Sequence, residues 1–142
     1  RVSWAAATVL AAAALAALAG LAAAAEQGGQ APPRDYRSWR HVRSVAVTDP
    51  EHAMYGFHDG YANEAAARGL RSKAVPARYE DGATFVVSIF EIETRRGITG
   101  AGAKRRDVVQ VKDRAATATG GWRFAAFDAA AERDFVLTSF RE

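Results

Sequence analysis

Apolar and polar residues alternate with the two-residue period of a β-strand in several short segments of this chain. The strongest is ATFVVSIFEIE, residues 83–93, which follows the turn-forming residues YEDG. Its first part is apolar on both sides of the alternation, whereas Glu91 and Glu93 place charges on one side near its end. A strand that is buried on both faces has such a continuous apolar start, so this pattern predicts a central strand that emerges into solvent.

Other segments predict the elements around this strand. Further strands are expected at residues 42–47, 54–61, 106–113, 122–127 and 134–140. Helices are expected over residues 64–71 behind an Asn63 cap, and over residues 36–41 and 114–119 behind Asp35 and Asp113. Strands joined by turns outnumber helices, which predicts an α+β fold: a small antiparallel β-sheet domain with short flanking helices.

The same alternation predicts the core. The residues expected inside are Val86, Val87, Ile89 and Phe90. Trp122 is expected to pack against this central strand, because alternation places it on one face with Phe124 and, further along, Ala126.

The N-terminal segment has the pattern of a secretory signal peptide. Arg1 is the only charged residue before Glu26, the stretch between them is rich in Ala and Leu, and it ends in Ala23-Ala24-Ala25. We therefore divide the chain into a signal peptide at residues 1–25, a linker at 26–34 and a domain at 35–142. The alternative is a retained membrane anchor, since the apolar stretch is long enough to span a bilayer.

Composition narrows the possible functions. The 142 residues carry a formal net charge of +3, and removal of residues 1–25 takes away one positive charge. Such a nearly neutral domain lacks the basic surface of a nucleic-acid binder. The sequence contains no cysteine, which excludes thiolate metal sites, thiol nucleophiles and haem attachment through Cys-x-x-Cys-His. The expected location is the periplasm or the exterior.

His58 is the most interesting candidate for binding chemistry. It lies in the aromatic segment MYGFHDGY, where a neutral imidazole could ligate a metal or a haem iron, or could simply be hydrogen-bonded in a strand. His41 and His52 form no metal-binding spacing with it or with each other. Glu91 and Glu93 could act as an acid–base pair, although a solvated strand end is the more ordinary explanation. Ser88 has no nucleophile elbow around it.

A glycine-containing basic segment, TRRGITGAGAKRR, follows the central strand at residues 94–106. Its glycines match neither a Walker A loop nor a dinucleotide-binding fingerprint. We expect a mobile hairpin loop whose cations, from Arg95 to Arg106, bind an anion or an acidic partner, or merely keep a sheet edge soluble.

Taken in order, six segments of the chain resemble the cytochrome P460 family of exported bacterial c-type haem proteins. They are YRSWRHVRSV, YGFHDGYANEAA, YEDGATFVVSIFEIE, RRDVVQVKD, GGWRFAAF and RDFVLTSF, and together they cover most of residues 35–140. The resemblance implies a small antiparallel sheet with flanking helices, often in a dimer formed through the sheet.

The resemblance also implies a haem attachment site that this sequence does not contain. Family members attach haem through Cys-x-x-Cys-His between the tryptophan strand and the final tail, where this chain has only residues 128–133, DAAAER. In the type member a lysine five residues after the turn glycine cross-links to the haem. Counting from Gly82 places Val87 there. Related members with an apolar residue at that place bind gases.

Three hypotheses remain open from the sequence. The first is a haem-free binding module without a cofactor, in which Phe135, Leu137 and Phe140 fold inward over Val87 and Phe90. The second is a haem protein acting on hydroxylamine or nitric oxide, with His58, Val87 and Phe90 as candidate haem-pocket positions. The third is a structural domain that binds a partner. A homodimer is possible, nucleic acid is not expected, and a membrane would be contacted only through an uncleaved N-terminal segment.

Overall fold

The computed structural model describes residues 31–130 in full and the backbone of residues 133–137. Six antiparallel strands form one sheet in the order of the chain. They are β1 (Arg40–Val47), β2 (Gly56–Ala62), β3 (Thr84–Arg95), β4 (Ile98–Lys112), β5 (Trp122–Asp128) and β6 (Arg133–Leu137). One α-helix, α1 (Glu64–Arg71), and two 3-10 turns, η1 (Tyr36–Ser38) and η2 (Thr117–Thr119), accompany them. The predicted antiparallel sheet with short helices is confirmed.

Strand β3 is the central strand that its apolar start predicts. It pairs with β2 from Phe57↔Phe90 to Ala62↔Phe85, and with β4 along its whole length. Residues directly opposite each other in such pairs point to the same side of the sheet. The register therefore divides the side chains of the sheet into two sets.

We call the two sides the closed face and the open face. The closed face carries Val86 and Ser88 of β3, which lie opposite Val109 and Asp107 of β4. The open face carries Gly60 of β2, Val87 of β3 and Val108 of β4, which lie side by side on three adjacent strands.

The main hydrophobic core lies on the closed face. Its buried members are Tyr36, Val86, Val109, Val111, Ala125 and Phe127, with Trp39 and Tyr61 packed against them. Of the predicted core residues, Val86 and Ile89 are buried, which confirms the prediction for them. Val87 and Phe90 are only half-buried, so the prediction for these two was wrong.

The reasons for the two errors differ. Val87 points to the open face, where α1 and the segment after it cover only one end of the sheet. Phe90 lies where the pairing between β3 and β4 is irregular, since Ile89 faces Arg106 and Phe90 faces Lys104. The residue between those two β4 positions is a bulge, and a bulge interrupts the close packing of a strand with its neighbour.

Helix α1 covers one end of the open face. The Asn63 side chain accepts a hydrogen bond from the Ala66 amide and caps the helix, as predicted. Ala66 then packs with Ala62 and Ala83 in a second small core cluster. Because these side chains are small, the helix lies close to the sheet.

Trp122 packs against the central strand as predicted. Its ring centroid lies 6.2 Å from that of Phe85 on β3 and 5.4 Å from that of Tyr79, which contacts both rings. These distances are typical of edge-to-face aromatic pairs. The aromatic cluster closes the same end of the open face that α1 covers.

The basic segment at residues 94–106 is strand for most of its length, so the prediction of a mobile loop was wrong. Only Arg96 and Gly97 form the turn, with φ angles of 51° and 79°. Positive φ at both central positions is typical of a type I′ hairpin turn, whose twist matches that of the flanking strands. Beyond the Phe90↔Lys104 pair, β3 and β4 form a two-stranded ribbon that extends past the paired parts of β2 and β5.

The two shorter helices were predicted too long. Only Tyr36–Ser38 and Thr117–Thr119 adopt 3-10 geometry, and the Asp35 side chain makes no capping hydrogen bond. Asp113 instead accepts a hydrogen bond from the Ala115 amide within a turn. Such local side-chain bonds compete with helix formation.

Some predictions lie outside the described residues. These are the signal peptide, most of the linker, and the inward packing of Phe135, Leu137 and Phe140, for which the structure gives only the backbone pairing of β6 with β5. Within the described part of the chain, no helix is long and apolar enough to cross a membrane.

Truncation of a buried phenylalanine should destabilise the fold more than truncation of a half-buried one. We expect Phe127→Ala to reduce the free energy of unfolding by about 3–5 kcal/mol, because the Phe127 side chain is 1% exposed. The matched variant Phe90→Ala should cost distinctly less. Urea unfolding followed by circular dichroism measures both, and equal losses would contradict the difference in burial between Phe127 and Phe90.

Candidate functional site

The structure brings two of the three candidate haem-pocket positions together. His58 lies opposite Ile89, and Gly60, two residues further along β2, lies opposite Val87. His58 and Val87 are therefore diagonal neighbours on the open face. Phe90 lies on the closed face, where the guanidinium carbon of Arg37 is 5.9 Å from the centre of its ring.

His58 is held by a backbone carbonyl. It is 8% exposed, and its Nε2 lies 2.7 Å from the carbonyl oxygen of Met54. A carbonyl oxygen can only accept, so Nε2 carries a proton, and in the neutral form of the ring Nδ1 carries the lone pair. A histidine that binds a metal often has its second nitrogen oriented in this way by a carbonyl. The local structure thus leaves one ring nitrogen able to act as a ligand.

The centre of the open face is apolar and half-buried. Its exposed or partly exposed apolar side chains come from four strands: Val45, Val47, Val87, Val108 and Phe124. No described helix covers this centre, because α1 packs at the end that carries Ala62 and Phe85. These five side chains therefore keep partial access to solvent.

The two glutamates at the end of β3 form ion pairs with arginines. Glu91 lies 3.2 Å from Arg105, and Glu93 lies 2.6 Å from Arg95. These pairs are well exposed, and each carboxylate is engaged with a cation of the same hairpin. The geometry matches a solvated strand end and shows no acid–base pair.

The closed face contains a buried polar cluster that the sequence did not predict. Asp107 is 1% exposed, and its Oδ1 accepts hydrogen bonds from Ser88 Oγ at 2.8 Å and from Tyr36 Oη at 3.1 Å. Tyr36 Oη and Ser88 Oγ also lie 2.9 Å apart. Buried carboxylates are costly unless they are paired and hydrogen-bonded, so these contacts explain how Asp107 is tolerated.

Two cations complete this cluster, which we call the Asp107 cluster. Lys104 Nζ lies 2.5 Å from Asp107 Oδ2 and 3.4 Å from Tyr36 Oη, and Arg37 Nε donates to Tyr36 Oη at 3.3 Å. Burial lowers the pKa of Lys104, but its hydrogen bond to Asp107 and the charge of that carboxylate raise it by more, so the net shift is upward. The hydrogen bond to Tyr36 is the main cause that raises the pKa of Arg37.

The bulge in β4 makes this cluster possible. In a regular strand Lys104 and Asp107, three residues apart, would point to opposite faces. Because β4 has one extra residue between the partners of Ile89 and Phe90, both side chains reach the closed face. The sequence offered one signal, a polar Ser88 within an apolar strand. It offered none for Tyr36, which is 52 residues away from Ser88 in the chain.

The described side chains contain no group of three or more His, Cys, Asp or Glu that could hold a metal ion. Together, these features define the class of protein: a small antiparallel-sheet domain with one tightly closed face and one open apolar face. The family model of cytochrome P460 matches residues 33–140. The chain belongs to the cytochrome P460 family. Comparison with curated proteins gave no match.

The residues present do not fit the covalently bound haem of this family. Thioether attachment requires cysteine, and the 142 residues contain none. Val87, at the position that resembles the cross-linking lysine, has no nucleophile. What remains on the open face is the single imidazole of His58, whose Nδ1 has the lone pair a ligand needs.

Removal of the buried carboxylate should destabilise the fold strongly. We expect Asp107→Ala to cost about 3–5 kcal/mol, because it leaves Lys104 beside unpaired hydroxyls in a buried cluster. The control Glu91→Ala breaks an exposed ion pair and should cost only about 0.2–1 kcal/mol. Chemical unfolding at neutral pH gives both values, and a small loss for Asp107→Ala would argue against its central role.

Alkaline pH should weaken the fold through Lys104 and Tyr61. Burial, reinforced by the nearby Asp59, raises the pKa of Tyr61, and the pKa of Lys104 is also raised. Raised pKa values mean that the folded state holds protons which the unfolded state has lost. The contribution of Lys104 and Tyr61 to the free energy of unfolding is therefore complete below about pH 10, near the ordinary pKa of both groups. It is lost as the pH rises through their pKa values in the folded state.

The measurement is urea unfolding at a series of pH values from about 8 to 11. Lys104→Gln should show a shallower loss of stability with pH than the parent. The control Lys73→Gln, at an exposed residue, should keep the slope of the parent. Identical slopes for all three proteins would show that Lys104 is not a source of the alkaline loss.

Proposed function

We propose that this protein is a cytochrome P460 domain that does not attach haem covalently and that functions as an exported binding module. One observation carries the proposal: the family fold is retained while the sequence has no cysteine. A protein that kept the sheet but lost the attachment chemistry retains a surface for non-covalent binding. We propose the open face as that surface, with His58 and Val87 at its centre and no bound cofactor in the working state.

The distribution of apolar surface supports this choice. The closed face is filled by its own buried residues, whereas Val87, Val108 and Phe124 on the open face keep partial access to solvent. Contiguous apolar surface on a small domain is typical of a binding site. The chemistry of the face favours a small, mostly apolar ligand with a single polar contact near His58.

A second candidate is a non-covalent haem protein acting on hydroxylamine or nitric oxide. The orientation of His58 favours it, because the Met54 carbonyl holds Nε2 and leaves the Nδ1 lone pair available. If haem were bound, this imidazole would supply an axial ligand and Val87 would supply an apolar contact. Phe90, on the other face, would not take part.

Two expectations about assembly and location belong to the same proposal. Among the described residues, the outer backbone edges of β3 and β4 in the ribbon beyond Phe90 have no strand partners, and two copies can pair through edges of this kind. We propose a homodimer and an exported location, in the periplasm or outside the cell, and no binding of nucleic acid.

The test uses the mature domain produced in a host able to attach c-type haem. We expect a colourless protein that binds the fluorescent apolar probe ANS in a saturable manner. Val87→Asp should weaken ANS binding about tenfold, since it places a charge at the centre of the face. Ile98→Asp, at a residue that is 77% exposed on the ribbon, is the matched control and should bind as the parent does.

Haem titration separates the two candidates. A tight, saturable Soret shift that is lost in His58→Ala would support the haem protein and overturn the haem-free module. Haem binding that is weak and indifferent to His58, together with ANS binding that depends on Val87, would support the module. Equal ANS binding by Val87→Asp and the parent would refute the open face as the binding surface.

A further inference from the structure

The Asp107 cluster has unused hydrogen-bond donors on its outer side. A protonated lysine has three N–H donors, and Lys104 uses two, for Asp107 and Tyr36. A guanidinium has five, and Arg37 uses one, for Tyr36. Within the described residues no carboxylate lies within ion-pair distance of Arg37. The outer edge therefore presents several N–H groups from two cations.

The acceptors of the cluster, by contrast, are used or buried. Tyr36 Oη donates its proton to Asp107 and accepts from Arg37 and Lys104, which fills both lone pairs. Asp107 receives Ser88 and Tyr36 on one oxygen and Lys104 on the other, and the remaining lone pair belongs to a side chain that is 1% exposed. A molecule that approaches from solvent meets donors and positive charge, with no exposed acceptor of Tyr36 or Asp107 to compete for them.

The charges favour a ligand with a single negative charge. Asp107 is paired with Lys104, and Arg37 joins the cluster through Tyr36 without a carboxylate of its own, which leaves an excess of one positive charge. Like charges held close together repel, and an anion between them removes that cost. The Lys104 side chain is 26% exposed and Arg37 is exposed, so solvent reaches both cations.

We propose that Arg37 and Lys104 form a binding site for a small carboxylate, on the closed face of the sheet and separate from the open face. One carboxylate oxygen contacts the free Nη donors of Arg37, and the other contacts the remaining proton of Lys104. Arginine suits this role because its planar donors match the geometry of a carboxylate. The half-buried ring of Phe90, which lies beside the Arg37 guanidinium, forms an apolar wall for the rest of the ligand.

The probe is acetate, with acetamide as its neutral counterpart of nearly the same shape. NMR titration that follows the Arg37 Nε–H signal and the Phe90 ring signals should show saturable shifts with acetate, with a Kd on the order of 1–10 mM. Acetamide should give no saturable shift. Arg37→Gln should weaken acetate binding at least about tenfold, because it removes the charge and the planar pair of donors.

Two further variants keep the test independent of folding. Lys104→Arg retains the positive charge beside Asp107, so we expect it to fold and to bind acetate measurably. Its fold and its affinity for acetate can then be measured on the same sample. Arg96→Gln removes one exposed positive charge at the hairpin turn and controls for general electrostatic attraction. It should leave acetate binding unchanged, apart from a small effect of net charge.

Three results would overturn the proposal. The first is acetate shifts that stay linear to high concentration. The second is equal shifts with acetamide. The third is equal weakening by Arg37→Gln and Arg96→Gln, which would indicate attraction to net charge alone. The open-face variant Val87→Asp should leave acetate binding intact, so failure of this site and failure of the proposed function can be told apart.

Discussion

The buried carboxylate of Asp107 is the constraint on which the rest of the structure depends. A charge that is 1% exposed must be compensated locally, and here the compensation comes from three separate parts of the chain. Ser88 comes from the central strand, Tyr36 from the N-terminal 3-10 turn, and Lys104 from the far side of a β-bulge. Each partner is useful only if the others are in place, so the cluster fixes the N-terminal turn onto the sheet and fixes the register of β3 against β4.

This constraint also explains why the two faces differ. The closed face is covered around the Asp107 cluster, with Tyr36 bridging the polar groups and the apolar core of Val86 and Val109. On the open face, α1 and the aromatic group of Tyr79, Phe85 and Trp122 cover one end. His58 and Ile89 are buried as well, whereas Val87 and Val108 keep partial access to solvent. The larger core cluster thus lies on one side of the sheet, and the other side retains half-buried apolar side chains.

The interactions that hold the sheet together explain how a member of the cytochrome P460 family can lack cysteine. The buried core and the polar cluster described here involve no haem-attaching residue, so loss of that chemistry does not by itself remove the interactions that hold the sheet. The His58 ring on the open face is positioned by the backbone carbonyl of Met54. A fold does not by itself imply a function, so the function of this domain must be argued from its sites.

The sequence by itself determined the central strand, the capped helix, the antiparallel arrangement and the family, because these depend on local periodicity, on one cap residue and on the order of segments. The tertiary structure alone decided which face each strand residue serves. One extra residue in β4 brings Lys104 to the side of Asp107, and local alternation could not show this. It also decided that Phe90 lies apart from His58 and Val87, and that Tyr36 meets Ser88 across 52 positions. Contacts between distant segments depend on register, and register is set by the whole sheet.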